Sequence, residues 1–165
     1  MVAVSADART IVWVPRAVVA HYSGDRGATW TAGAGLPVNA VVVGDRVDPG
    51  AFYVFDPAIG TPYISPNGGA TFTATASGLP TGVEKLETVL DRPGHCWLGV
   101  GAGALFRSVD RGLAYMSVTT IQQAYAIGFG KAAPRPREMA AYTSGQGAGL
   151  RVSSVRPTAA RRGCG

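Results

Sequence analysis

An all-β fold, in the form of an incomplete β-propeller, is predicted by a repeated octapeptide, by the interval between its copies and by the strand-like text around each. The copies read Ser23-Gly24-Asp25-Arg26-Gly27-Ala28-Thr29-Trp30, Ser65-Pro66-Asn67-Gly68-Gly69-Ala70-Thr71-Phe72 and Ser108-Val109-Asp110-Arg111-Gly112-Leu113-Ala114-Tyr115. Their serines stand 42 and 43 residues apart. A period of roughly 40–50 residues in strand-rich sequence marks a propeller, with one four-stranded blade per repeat.

The shared pattern, Ser-x-Asp-x-Gly-x-Thr-aromatic, is the Asp box, also called the BNR repeat. It suits a turn between two strands. Asp25 or Asp110 accepts hydrogen bonds from backbone N–H groups about two residues on, closing the turn. Gly27, Gly69 and Gly112 supply positive φ. Trp30, Phe72 and Tyr115 are then expected to pack between strands. Asn67 keeps an acceptor oxygen, so the second turn should survive, whereas Ala114 lacks the hydroxyl of Thr29 and Thr71 and makes the third turn the weakest. None of this requires a ligand, and a structural role for Ser23, Asp25, Thr29, Ser65, Ser108 and their partners is the reading the residues favour over catalysis.

Strand-like segments follow in repeating order. Val2–Ser5 and Thr10–Val14 precede the first box. In the second repeat come Ala40–Val43, then Ala51–Phe55 after the turn Asp48-Pro49-Gly50, then Thr61–Ser65 into the box and Thr71–Thr75 out of it. Lys85–Leu90, His95–Val100 and Gly103–Ser108 repeat that order. Ala124–Gly130 opens another blade, Lys131–Glu138 reads as a loop and Met139–Thr143 as a further strand. Three to four blades are too few to close a ring, so open sheet edges are expected.

Composition agrees, with 23 Gly, 11 Pro and 15% charged residues among 165. No apolar run reaches the roughly 18 residues of a membrane span, and no secretory leader is read at Met1. The net charge of +5 is unevenly placed: residues 1–130 hold 8 Lys/Arg against 9 Asp/Glu, and residues 131–165 hold 7 against 1. Nucleic acid and membrane partners are not expected. Cys96 and Cys164 lack metal-type spacing, and neither a metal nor a cofactor is expected. His21 and His95 are read as structural. Trp13 and Trp97 sit in apolar strand positions and read as core, with stacking on sugar rings as the alternative.

Several segments taken together resemble one family. VAVSADARTIVWVP (2–15), HYSGDRGATWTAGAGLP (21–37), VVVGDRVDPGAFYVFD (41–56), PYISPNGGATFTATASGLP (62–80) and AYAIGFGKAAP (124–134) resemble the C-terminal propeller of the glycoside hydrolase family 74 xyloglucanases. The resemblance implies a secreted, inverting endo-hydrolase of xyloglucan or related β-1,4-glucans, extracellular and cofactor-free. Inversion uses two carboxyl groups roughly 6.5–9.5 Å apart with water between them. By resemblance, the C-terminal aspartate lies in a Gly-Asp-x-x-Gly-Phe segment that this chain lacks, so no catalytic residue maps onto it. Gly44-Asp45-Arg46 falls at a different blade position. The fragment is expected to be inactive alone and to need the missing propeller portion. The alternative is a non-enzymatic binding propeller of the sortilin or photosystem-assembly kind.

Residues 1–151 are thus assigned to a partial propeller, and residues 152–165 to a tail read out of frame. One inserted G after the codons for Leu150 and Arg151 turns a permitted coding sequence into Leu-Arg-Gly-Val-Phe-Arg-Ser-Ser-Asp-Gly-Gly-Ala-Thr-Trp-Val-Arg. That contains an intact fourth box. On this reading Arg156, Arg161, Arg162 and Cys164 carry no evolved function.

Overall fold

The computed structural model describes residues 1–101, 104–130, 140–147 and 150–151. They form fifteen strands in four antiparallel sheets. The first sheet runs β1 (Val2–Val4), β2 (Ile11–Trp13), β3 (His21–Ser23), β4 (Thr31–Ala32); the second β5 (Val41–Gly44), β6 (Phe52–Asp56), β7 (Thr61–Ser65), β8 (Thr73–Ala74). The third follows the same order with β9 (Val83–Thr88), β10 (Cys96–Val100), β11 (Ala104–Ser108) and β12 (Met116–Val118). The fourth contains β13 (Gln123–Gly130), β14 (Ala140–Gly147) and β15 (Leu150–Arg151). The first strands of successive sheets sit side by side, β1 by β5, β5 by β9 and β9 by β13. This is an open run of propeller blades, three of four strands and part of another.

The strands largely fall where apolar alternation places them. Outer strands β4 and β12 leave the first and third boxes directly after Trp30 and Tyr115, as a turn between two strands requires. They are short and exposed, and so carry little hydrophobic pattern. The expected loop at 131–138 and the tail at 152–165 lie outside the described residues.

Alternation explains how blades stack. In a strand, neighbouring side chains point to opposite faces. Val12 and Tyr22 of the first blade meet Phe52, Val54 and Tyr63 of the second. The other face of the second blade, with Tyr53, Phe55 and Ile64, meets Leu86, Leu98 and Phe106 of the third. Trp97 and Leu105 then meet Ile127 and Ala141 of the fourth. A fully buried side chain of this size contributes about 1.5–3 kcal/mol, so these three apolar layers dominate the stability.

Polar ties register the layers. Gly33-Ala34, just past β4, joins the second box turn: Ala34 N–H donates to Ala70 O at 3.0 Å and Phe72 N–H to Ala34 O at 2.9 Å. Gly35 follows at φ 81°, and a Cβ there would collide with the Phe72 carbonyl. Further round, Asp45 is buried, and its carboxylate accepts four hydrogen bonds. Val47 N–H (2.8 Å) and Asp48 N–H (2.9 Å) reach Oδ1; the Tyr53 hydroxyl (3.0 Å) and Gly94 N–H (2.8 Å) reach Oδ2. Gly94 belongs to the β9–β10 turn of the next blade, so one side chain closes its own turn and holds its neighbour's. Thr88 adds a second tie, donating to Gly44 O at 2.8 Å.

Removing the Asp45 carboxylate strands several buried donors, each worth about 1–3 kcal/mol when left unpaired. Asp45→Ala is therefore expected to lose about 2–4 kcal/mol, and Tyr53→Phe about 1 kcal/mol. Chemical denaturation of the two variants beside the parent chain measures both. An Asp45→Ala loss no larger than that of Tyr53→Phe would refute the hub.

Candidate functional site

Every complete blade carries its serine turn between its third and fourth strands. In the first, the Ser23 hydroxyl donates to Asp25 Oδ1 (2.7 Å) and accepts from Gly27 N–H (2.8 Å). Asp25 then receives Thr29 N–H on Oδ1 (2.9 Å) and the Thr29 hydroxyl on Oδ2 (2.6 Å). The acid thus reaches four residues on rather than two, because the nearer N–H, that of Gly27, is already taken by the serine. Two successive left-handed residues bend the chain in each copy: Arg26 and Gly27, Gly68 and Gly69, Arg111 and Gly112. At Gly69 a Cβ would also stand 2.5 Å from Val12 Cγ2 of the first blade.

The variant copies keep the frame. Asn67 Oδ1 accepts from Ser65 Oγ (2.9 Å) and Thr71 N–H (3.1 Å), while its amide donates to Thr71 Oγ1 (2.9 Å). Donor and acceptor have exchanged places at the threonine. Asp110 accepts from Ser108 Oγ (2.8 Å) and Ala114 N–H (3.0 Å), and Ala114 has no hydroxyl to give. A related turn that the repeat pattern did not single out lies between β1 and β2. There Ser5 Oγ donates to Asp7 at 2.6 Å and accepts from Thr10 N–H at 2.9 Å.

These contacts set the acids' protonation. The Thr29 hydroxyl, its N–H and the Ser23 hydroxyl together hold Asp25 down from 3.8 to about 2. Asp110 is lowered chiefly by the Ala114 N–H, and Asp7 chiefly by the Ser5 hydroxyl. Such groups are built to stay ionised as acceptors, the reverse of what a general acid near neutral pH requires.

Two aromatic expectations are corrected. Trp13 and Trp30 are not core. They lie on the outward face of the first blade, ring centroids 6.0 Å apart edge to face, with His21 6.2 Å from Trp13. The Trp30 indole N–H donates to Gly27 O at 3.1 Å. Phe72 and Tyr115, the corresponding aromatics, do pack between blades. Trp97 is core: buried, 6.2 Å from Phe129, with the Arg107 guanidinium 5.6 Å above its ring.

The remaining candidates are occupied structurally. Asp48 caps Gly50 N–H and pairs with Arg111 at 3.3 Å; Asp56 accepts from Ala58 N–H at 2.9 Å. Burial pushes the Cys96 thiol up to about 11, beside the Tyr115 hydroxyl at 3.4 Å. Desolvation, then Arg107 and Arg92, lower the His95 pKa. Among the described residues no group of three or more His, Cys, Asp or Glu could hold a metal, and no helix is long and apolar enough to cross a membrane. A groove of about 450 Å³ between β1 and β5 is lined by Ser5, Asp45, Arg46 and Glu87. Glu87 is committed to Lys85 at 3.0 Å and Arg46 at 3.5 Å.

Comparison with known proteins places this geometry. A xyloglucanase of Paenibacillus sp is 39% identical over 157 residues, 91% of this chain, and Xyloglucanase Xgh74A of Acetivibrio thermocellus is 40% identical over 146 residues, 88% of it. The crystal structure of the GH74 enzyme of Niastella koreensis superposes on 91% of the chain with a TM-score of 0.82 at 30% identity. The chain is a homologue of family 74 xyloglucanases. The GH74 xyloglucanase of Xanthomonas campestris gives a TM-score of 0.77 at 29% identity. No protein-family model matches. The chain spans 15% and 17% of the two curated xyloglucanases and 22% of the Niastella enzyme. A structure of YCF48 bound to D1 peptide shares the fold, with a TM-score of 0.56 at 15% identity.

The Asp25 turn yields a pH test. Its folded-state pKa lies below the free value, so its support is complete above about pH 4 and is withdrawn as pH falls toward 2. Melting temperatures between pH 5 and 2 should drop in the parent chain and drop less in Asp25→Asn, which has the side chain already present at position 67. Asp25→Ala should be less stable than Asp25→Asn throughout. Equal acid limbs in the parent and Asp25→Asn would remove the carboxylate from the account.

Proposed function

We propose that this chain is part of a secreted, inverting endo-hydrolase of xyloglucan or a related β-1,4-glucan, and that alone it is inactive. The observation that carries this is an identity of 39–40% to xyloglucanases across about nine-tenths of the chain but 15–17% of their length. The parent would act outside the cell on a polysaccharide, without a cofactor. Supporting inactivity is the state of the acids: Asp25 and Asp110 are turn acceptors, Asp45 is a buried hub, and Asp48 and Asp56 cap local turns. Inverting hydrolysis needs an acid and a base facing one glycosidic bond, each worth about 10²–10⁴ in rate.

Reducing-sugar release from xyloglucan by the purified chain should match the no-enzyme background. Rejoining the chain to the upstream portion present in its longer relatives should restore release. Turnover by the 165-residue chain itself would overturn the proposal and return Asp45, Asp48, Asp56 and Asp91 to consideration. The likeness to YCF48 is one of fold and lends no weight to a binding-module reading.

We also propose that residues 152–165 are translated out of frame. In support, a single G inserted after Arg151 permits a complete box at close to the repeat interval. The genomic sequence across codons 148–165 should restore Ser-Ser-Asp-Gly-Gly-Ala-Thr-Trp on that insertion. A codon choice incompatible with the motif would end the idea.

A further inference from the structure

Only the second box sets a carboxamide before a glycine. Asn67 is followed by Gly68, whereas Asp25 and Asp110 are followed by Arg26 and Arg111. A main-chain nitrogen can attack the side-chain carbonyl of the asparagine before it, and glycine, having no Cβ, hinders that approach least. Asn67 is exposed, so burial does not shield it.

Hydrogen bonds shield it instead, at both reacting groups. The nucleophile, Gly68 N–H, is engaged with Gly50 O at 2.9 Å, in the turn between β5 and β6. The carboxamide is held at each end. Its Oδ1 accepts from Ser65 Oγ at 2.9 Å and Thr71 N–H at 3.1 Å, and its Nδ2 donates to Thr71 Oγ1 at 2.9 Å. The other boxes carry the same main-chain bond, from Arg26 N–H to Arg9 O at 3.0 Å and from Arg111 N–H to Gly94 O at 2.9 Å. There the neighbouring group is a carboxylate, a poor electrophile with no ammonia to lose.

We propose that Asn67 is a self-modification site whose reaction is gated by opening of the second box. Once Gly68 leaves Gly50 and the carboxamide leaves Ser65 and Thr71, Gly68 N bonds to Asn67 Cγ. The Cγ–Nδ2 bond breaks, and ammonia departs with the proton that Gly68 gives up, leaving a cyclic imide. Water then opens the ring. Opening at Cγ gives aspartate and restores the acceptor pattern of the first box. Opening at the main-chain carbonyl gives isoaspartate, which adds a carbon to the backbone and moves the acceptor from its place two residues after Ser65. Box opening is fast beside this chemistry, so the rate follows the open population.

Peptide mass spectrometry of the full chain in mildly alkaline buffer, with and without denaturing urea, follows amide-to-acid conversion at position 67. Circular dichroism confirms β structure in the arm without urea. Conversion should be at least tenfold slower in the folded chain, and the urea arm should yield both aspartate and isoaspartate. Gly68→Ala should slow conversion in urea, where its fold is immaterial. Ser65→Ala removes the hydroxyl that holds both Asn67 Oδ1 and Gly69 N–H, each at 2.9 Å, and should speed conversion in buffer. Thr71→Val, which takes away the acceptor of Nδ2, repeats that test if Ser65→Ala loses its β structure. Equal rates with and without urea, no conversion in urea, a Gly68→Ala rate in urea equal to the parent's, or a folded box variant no faster than the parent would each overturn the proposal.

Discussion

Each blade is apolar on both faces, and most of the architecture follows from that. A sheet with one apolar face needs one partner, but a sheet with two must sit inside a stack. Tyr53 and Val54, adjacent in β6, belong to different layers, as do Trp97 and Leu98 in β10. Folding such a chain means filling successive gaps between sheets rather than closing a single core. Tertiary stability consequently resides in nearest-neighbour interfaces, as in other repeat architectures.

The serine turns show how loosely chemistry can be specified while geometry is kept. Three copies hold the same pair of left-handed residues and the same hydrogen bond from the glycine N–H to the serine hydroxyl. Around that frame the acid becomes an amide at position 67 and the threonine becomes alanine at position 114. Common to all three is an acceptor oxygen two residues after the serine. The side chain at that place differs in charge, so the copies answer differently to acid although they share a shape.

Local signals made much of this legible in the sequence. The repeat interval, the glycine positions and the apolar runs of β6, β7, β10 and β11 each lie within a few residues of the feature they specify. Two kinds of information were not local. Trp13 and Trp30 read as core because their repeat equivalents are core, yet the layer that would bury them is not among the described residues. Asp45 reads as an incidental Gly-Asp-Arg, since its partner Gly94 is 49 residues away.

The long-range bond from Gly94 to Asp45 makes two turns share one carboxylate. Val47 and Asp48 N–H close the second blade's turn on it, and Gly94 N–H brings in the β9–β10 turn of the third. Local opening of either turn therefore withdraws support from the other, so the two blades are coupled through a single side chain as well as through their apolar layer.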